Sequence, residues 1–353
     1  MNSNEQKLNY PWGDRLPDVG HAIEIADGLR WVRLPLPFAL DHVNVWLLRD
    51  TFEGRDGWTL IDCGVARDPV KAQWEQVFEN CLDGLPIVRV LVTHMHPDHV
   101  GLAGWICERW DAPLWMTMTD FFVANLWTRT AQDKGARGGE SAVTYFARHG
   151  LADEEHLTKI RERAGYYPSL VAPLPSSYRR LVDGEVVRMG GRDWKVIIGY
   201  GHAPEHISLY DIGTNIFIAG DMVLPRISTN VSVFDYEPDG NPLQLYLDSL
   251  NKYEPLAADA LVLPSHGKPF TGLHERIQQQ RDHHRDRLDD VLRACTDGRC
   301  AAEIIPVLFN RTLDTHQLTF AMGEAIAHLN TLVARGQLTR RTDDSGVQRF
   351  YPV

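Results

Sequence analysis

Short apolar runs rich in β-branched residues alternate with helical periodicities over much of the chain. Such runs predict buried strands, because a strand covered on both faces is apolar throughout. Between them, Leu102, Ile106 and Trp110 recur every four residues and predict a helix over residues 99–110. The predicted strands are residues 58–62, 87–93, 194–200, 216–219 and 260–263. Strands alternating with helices predict an α/β sandwich.

Residues 120–180 interrupt this rhythm with a helical stretch that is rich in aromatic side chains. We interpret it as a helical insertion, with boundaries near 120 and 180, that folds over a site at the edge of the sheets. For any single one of these aromatic residues, packing of the insertion onto the sandwich is the preferred explanation.

The pattern changes again beyond residue 272. Helical periodicity, a stop at Gly336 and two short strands around a turn predict a series of helices and a hairpin. The predicted elements are helices at 275–293, 301–309 and 317–335 and strands at 338–341 and 348–351. We therefore expect a catalytic domain at residues 1–272 and a small winged-helix-like domain at 273–353.

The first of these tail helices is strongly charged, and it carries His274, His283 and His284. We expect these histidines on its solvated face.

Composition narrows the classes of function. The 353 residues are 44% hydrophobic and 24% charged, as in an ordinary globular protein. A formal net charge of −11 disfavours nucleic acid as a partner. The amino terminus lacks a secretory pattern and no run of 18 apolar residues is present, so we expect a cytoplasmic protein that does not enter a membrane. Five scattered cysteines predict no disulfide framework.

Residues of metal-binding type follow four of the predicted strands. The segment His94-Met95-His96-Pro97-Asp98-His99 follows the second strand, and His202, Asp221 and His266 follow the next three. Loops at one edge of a rigid sheet bring such side chains together. A divalent ion needs imidazoles or carboxylates that converge at about 2.0–2.2 Å. Three histidines and one aspartate within six residues therefore indicate a metal site, because burying them unpaired would be costly.

The segment from Thr93 to His99 resembles the T-H-x-H-x-D-H signature of the metallo-β-lactamase superfamily. Four further motifs resemble that family in the same order: Leu60-Ile61-Asp62-Cys63-Gly64, Gly201-His202, Gly220-Asp221 and His266-Gly267. The resemblance covers about residues 30–270 and implies an αββα sandwich.

The resemblance also implies roles for individual residues. One ion would be bound by His94, His96 and His202, the other by Asp98, His99 and His266, with Asp221 bridging them. Asp62 would contact the ligands from outside. Because His96 stands where the flavin-dependent di-iron relatives have a carboxylate, the resemblance favours hydrolysis over redox chemistry. Nitrogen-rich ligands suit zinc, with iron and manganese as alternatives.

Two nearby cations lower the pKa of a shared water, so a metal-bound hydroxide attacks the substrate while Asp98 orients it. Together with its tail, the chain resembles the β-lactamase-like-2 branch, which implies hydrolysis of a small-molecule thioester, ester or lactone. The alternative is a single-stranded RNA endonuclease or another phosphodiesterase. A transcriptional regulator ranks below both because of the charge. We expect the tail to act in packing or in a homodimer.

Two further residues have open roles. His206, four residues beyond His202, contacts the ligands from outside, faces the substrate or is satisfied by local backbone. Tyr178, at the end of the aromatic insertion, either contacts substrate through its hydroxyl or packs.

Overall fold

A computed structural model describes residues 5–38, 40–129 and 139–353. Two large sheets form its centre. The first contains β1 (Ile23–Ala26), β2 (Leu29–Pro35), β3 (His42–Phe52), β4 (Arg55–Ile61), β5 (Ile87–Leu91), β6 (Leu114–Met116) and β7 (Arg179–Arg180), in that order. The second contains β8 (Val186–Met189), β9 (Arg192–Gly199), β10 (His206–Asp211), β11 (Ile216–Gly220) and β12 (Leu261–Pro264), and its strands also neighbour one another in chain order.

Helices surround the sheets. They are α1 (Asp68–Cys81), α2 (Pro97–Val100), α3 (Ala103–Trp110), α4 (Met118–Arg129), α5 (Glu140–Arg148), α6 (Glu154–Glu162), α7 (Pro242–Leu250), α8 (Leu273–Ala294), α9 (Ala301–Leu308) and α10 (Thr315–Ala334). A two-stranded antiparallel hairpin of β13 (Leu338–Thr342) and β14 (Gln348–Pro352) follows the last helix.

The two-residue period of the strands divides the core into layers. In β9, Trp194, Val196 and Ile198 pack in the cluster between the two sheets, where they join Trp31 and Trp46 of the first sheet. The intervening Ile197 belongs to the cluster that contains α7, α8 and α10. Both faces of the strand are therefore buried from Val196 to Gly199, where its sequence is a continuous apolar run.

The opposite face of the first sheet is covered in the same way. Trp74 of α1 and Ile106 of α3 pack with Val45 and Leu60 of that sheet. The order of layers is thus helix, sheet, sheet, helix, which confirms the predicted αββα architecture.

One predicted helix needs correction. The helix predicted over 99–110 is split into α2 and α3, because the Leu102 amide donates to the Gly64 carbonyl (3.0 Å) at the junction. The first helix of the predicted insertion, α4, begins at Met118, and the segment 130–138 lies outside the described residues.

The tail contains the predicted helices and hairpin, although the name winged helix remains a prediction. The expectation of a solvated face was wrong for His284, which is fully buried. Its neighbours are Tyr246 of α7 and His328 of α10, so α8 is amphipathic with this histidine on the packed side. His274 and His283 are exposed as expected. None of the described helices combines the length and apolarity that crossing a bilayer requires.

Candidate metal centre

The ends of adjacent strands bring the predicted ligands to one rim. β4 and β5 are parallel, with Ile61 opposite Leu91, so the segments that follow them leave the sheet side by side. The first of these segments begins with Asp62, and the second continues through Thr93 to His94 and His96. The His94 and His99 side chains are fully buried, and α2 begins within the segment at Pro97.

The second sheet supplies the remaining candidates by the same arrangement. β11 and β12 are parallel, with Gly220 opposite Pro264, so Asp221 and His266 emerge at the same edge. His202 lies between β9 and β10, in the loop at that edge. Each ligand is thus separated from a sheet strand by only a few residues, which fixes its position.

Three histidine nitrogens surround one point. The His94 Nε2 and His96 Nδ1 atoms are 2.9 Å apart. His202 Nε2 lies 3.1 Å from His96 Nδ1 and 3.2 Å from His94 Nε2. Tetrahedral ligation by nitrogens at about 2.0–2.1 Å requires them to be about 3.3 Å apart. These three histidines therefore have the spacing of a metal-binding triad.

A second triad adjoins the first. Asp98 Oδ2 is 3.4 Å from both His99 Nε2 and His266 Nε2. Asp221 reaches both triads, because its Oδ2 is 3.2 Å from His202 Nε2 and its Oδ1 is 3.4 Å from His266 Nε2. The position of Asp221 is the one that a bridging carboxylate needs.

Two atoms at the centre of this arrangement have no hydrogen-bond partner among the described residues: His99 Nε2 and Asp221 Oδ1. Leaving buried polar atoms unsatisfied costs about 1–3 kcal/mol each. A divalent cation would satisfy both, so the residues present fit the metal that their types imply.

In three of these histidines the Nε2 atom belongs to a triad, and the Nδ1 atom on the other side of the ring contacts a residue outside the triads. His99 Nδ1 lies 2.8 Å from Asp62 Oδ2, and Asp62 also accepts hydrogen bonds from the Thr93 hydroxyl and amide. The Nδ1 atoms of His202 and His266 are each 2.8 Å from a backbone carbonyl, that of Asn230 and that of His42. Such contacts fix the tautomer and aim Nε2 inwards.

His206 also acts on the ligands from outside. Its fully buried Nε2 accepts a hydrogen bond of 3.0 Å from the Asp221 backbone amide, and its ring packs 4.8 Å from that of His94. Gly220 permits this approach, since a Cβ there would lie 2.4 Å from His206 Nε2 and the residue has φ of +56°.

The electrostatics of the rim favour a cation. Burial and the neighbouring imidazoles hold the pKa of His94 well below its usual value, which keeps this ring neutral. Burial raises the pKa of Asp221, but His266 and His99 outweigh it and keep that carboxylate ionised. Burial lowers the pKa of His266, and Asp221 and Asp98 raise it to about 10. The carboxylates thus concentrate negative charge where the ring nitrogens meet.

Comparison with known proteins decides the family. The model of the metallo-beta-lactamase superfamily matches residues 39–266, which contain every candidate ligand. The chain belongs to the metallo-beta-lactamase superfamily. A second model, for the metallo-beta-lactamase-like C-terminal domain, matches residues 288–353.

Similar proteins agree with this membership. A beta-lactamase domain protein from Burkholderia ambifaria is 51% identical, covers 100% of both chains and has a TM-score of 0.94. A metallo-beta-lactamase family protein from Thermus thermophilus is 27% identical over 94% of this chain and 100% of its own, with a TM-score of 0.76. The "Probable metallo-hydrolase YqjP" of Bacillus subtilis is 25% identical, covering 87% of this chain and 93% of the relative. The protein is accordingly a metal-dependent hydrolase of this superfamily.

A cleft opens beside the candidate metal ligands. It has a volume of about 160 Å³, and His96 and Pro97 form part of its wall. The insertion contributes Tyr145, Phe146 and Tyr166, while α10 of the tail contributes residues that include Phe320. Sequence reasoning missed the contribution of the tail, because no local pattern signals a contact between segments so far apart in the chain.

Tyr178 does not line this cleft. Its ring stacks on that of Phe121, with centroids 3.9 Å apart, and meets the edge of Phe122. These contacts agree with the second of the two roles predicted for Tyr178, that of a packing residue. The neighbouring tyrosines of the insertion differ from it, since Tyr166 lines the cleft and the Tyr167 hydroxyl donates a 2.6 Å hydrogen bond to the Met95 carbonyl.

Proposed function

We propose that the protein hydrolyses a small-molecule thioester, ester or lactone at this rim, with two divalent ions, zinc in preference to iron or manganese, as cofactors. The observation that carries the proposal is the cleft, because its wall joins aromatic side chains to the ligand segment at His96 and Pro97. A concave, mainly apolar site beside a few polar groups is typical of small-molecule binding.

The spacing of the two triads supports the proposal of which residues would hold the ions. His94, His96 and His202 would bind one ion, Asp98, His99 and His266 would bind the other, and Asp221 would contact both. Imidazole-rich ligand sets support zinc. When bound, two such ions lower the pKa of water and polarise a carbonyl or phosphoryl oxygen.

Asp98 is the carboxylate best placed to act on the nucleophile. Its side chain is 17% exposed, against 7% for Asp221, so a water molecule can reach it. There it would accept a hydrogen bond from the attacking water and orient it. Burial raises the pKa of Asp98, but His99 and His266 outweigh burial and keep the carboxylate ionised as an acceptor. Aromatic side chains such as Tyr145 and Phe146 limit the access of bulk water to the cleft.

Nucleic-acid cleavage has less support. Most of α10, which would be the reading helix of a winged-helix module, is buried, including the run from Ala321 to Leu332. A buried helix cannot enter a groove. The net charge of −11 also opposes a phosphate backbone.

Three narrower statements are proposals of the same kind. A domain boundary at 272/273 is supported by the start of α8 at Leu273. A cytoplasmic location and a homodimer rest on the sequence arguments alone.

A substrate panel tests the proposed function. Metal-replete protein would be given matched thioesters, esters and lactones, together with a phosphodiester and a single-stranded RNA, and an Asp98→Ala variant would serve as the site control. We expect turnover of at least one acyl substrate, reduced by at least about 100-fold in the variant. Asp98-dependent cleavage of RNA or the phosphodiester, with no acyl turnover, would replace the proposal by the phosphodiesterase alternative.

A further inference from the structure

Arg163 is a half-buried cation in the wall of the cleft. It begins the short 3-10 helix Arg163–Gly165, directly after α6. Its guanidinium lies over the Tyr166 ring, with 4.3 Å from Cζ to the ring centroid. One Nη atom lies 2.7 Å from His316 Nδ1, and the other lies 3.5 Å from the Thr319 hydroxyl. The insertion thus supplies the cation, and α10 fixes its direction.

His316 holds Arg163 as a neutral acceptor. Burial, with a further contribution from Arg163, lowers the pKa of His316 to about 4, so its Nδ1 accepts the Arg163 hydrogen bond at neutral pH. The imidazole ring is fixed in turn, because it stacks on Phe38 at 5.2 Å and meets the edge of Phe320 at 5.1 Å. The guanidinium is therefore oriented without being neutralised.

No carboxylate lies within 4.0 Å of the Arg163 guanidinium in residues 5–38, 40–129 and 139–353. Asp314 contributes an attraction from beyond that distance, but its carboxylate caps α10 by accepting from the Gln317 amide at 2.8 Å. The buried Arg89 differs, since it is paired with Asp50. A half-buried, oriented guanidinium without a counter-ion is an unfilled anion-binding group.

We propose that Arg163, held by His316 and Thr319 of α10, determines substrate specificity by binding an anionic group, a carboxylate or a group of similar charge, at the far end of an apolar substrate. The inference rests on the proposed function, because it takes the cleft as the substrate site. The planar fork of arginine matches a carboxylate with two hydrogen bonds. Asp235 also lines the cleft, so the wall around an apolar substrate contains one charge of each sign.

Calorimetric titration of the metal-replete protein with monomethyl glutarate and with its neutral counterpart dimethyl glutarate tests this assignment. We expect the anion to bind at least about 10-fold more tightly, and Arg163→Gln to remove that preference. Asp235→Asn is the matched control, because it changes charge in the same cleft with the opposite sign and must not weaken the anion. A further titration uses the methyl ester of 4-sulfobutanoate, which has a sulfonate in place of the carboxylate. It shows whether the site binds only carboxylates or any anion.

Arg163→Lys keeps the charge and loses the fork, so it should fall between the wild type and Arg163→Gln. If Arg163→Gln does not fold, Arg163→Lys replaces it in the test. The lysine variant should then bind monomethyl glutarate more weakly than the wild type does and bind dimethyl glutarate equally well. Equal affinity of the wild type for the two esters, or an unchanged preference in either Arg163 variant, overturns the inference. Hydrolysis of the same esters is measured in parallel. Turnover without a preference for the anion would contradict the role of Arg163 and leave the proposed function unchanged. A preference for the anion without turnover of any acyl compound would contradict only the proposed function.

Discussion

Two clusters of buried histidines can be compared, and of these two only one has the geometry of a metal site. At the rim, His94, His99 and His266 aim ring nitrogens at one another and at the Asp98 and Asp221 carboxylates. In the tail, His284 of α8 and His328 of α10 are also buried, with ring centroids 5.7 Å apart. All metal-type clusters found among the described residues lie at the rim.

Carboxylates make the difference between the two places. In the tail, both ring nitrogens of His284 and the Nε2 atom of His328 have no hydrogen-bond partner among the described residues, while His328 Nδ1 faces only the Glu324 carbonyl. Without anionic neighbours these rings pack as neutral side chains between helices. Burial of an imidazole therefore does not identify a metal site, whereas convergence of its nitrogen with carboxylate oxygens does.

Replacing the bridging carboxylate should have the largest effect. We expect Asp221→Ala to lower kcat/KM by roughly 1,000-fold or more, since water activation depends on the charge held there. The apolar core is untouched, so the metal-free variant should still unfold cooperatively, at a lower midpoint because buried His266 loses the carboxylate that keeps it charged. Steady-state kinetics and a melt measure both, with the exposed Asp289→Ala as the control. Normal turnover by Asp221→Ala would remove this residue from the site.

The tail pair should affect stability rather than activity. Burial lowers the pKa of His328 to about 4 from 6.5, with His283 and Arg287 acting in the same direction and the Glu324 carbonyl opposing them. The unfolded chain then binds more protons between these values, so stability is complete above pH 6.5 and falls towards pH 4. The loss is on the order of 3 kcal/mol.

Chemical denaturation at pH 7 and pH 4.5 measures the change in stability, to which the buried His149 and His284 also contribute. His328→Gln should make this change smaller by roughly 2–3 kcal/mol, whereas the exposed His274→Gln should not. An equal pH dependence in all three proteins would show that His328 does not titrate as its burial requires.

Asp62→Asn should lower the metal affinity of the rim, with a smaller effect than that of Asp221→Ala. It removes the charge behind His99 Nδ1, where the two atoms are 2.8 Å apart, and leaves the triads complete. Loss of such an outer partner costs about 10–100-fold in metal affinity. Competition with a chromophoric chelator gives the affinity, and an unchanged value would mean that Asp62 serves only the Thr93 turn.

Tyr178→Phe should have the smallest effect. The substitution keeps the ring that stacks on Phe121 and removes only the hydroxyl. We expect kcat and KM within about twofold of the wild type, because a half-buried packing residue acts through the shape of its ring. A tenfold fall in kcat would restore the substrate-facing role that the sequence suggested.

The sequence contained the metal site in a form that could be read locally. Four ligands lie within the six residues that follow one strand, and the others follow strands whose apolar runs predict their own ends. The sandwich was predictable for the same reason, since strands such as β9 are buried on both faces. These features depend on contacts near in sequence or on strand order.

The rest depends on contacts that no local pattern encodes. The His42 and Asn230 partners of the ligands are backbone carbonyls, which carry no residue signature. Arg163 acquires its neighbours only because α10 packs on the insertion, 153 residues away at His316. His284 was mistaken for a solvated residue because the charge of α8 conceals a buried stripe.

Elemental analysis of the metal-replete protein tests the central claim most directly, because seven converging ligands exceed the needs of one tetrahedral ion. We predict two equivalents of divalent metal per chain in the wild type, fewer than two in Asp221→Ala and two in His284→Leu, whose imidazole lies outside the rim. One equivalent or none in the wild type, or a loss of metal in His284→Leu, would contradict the account.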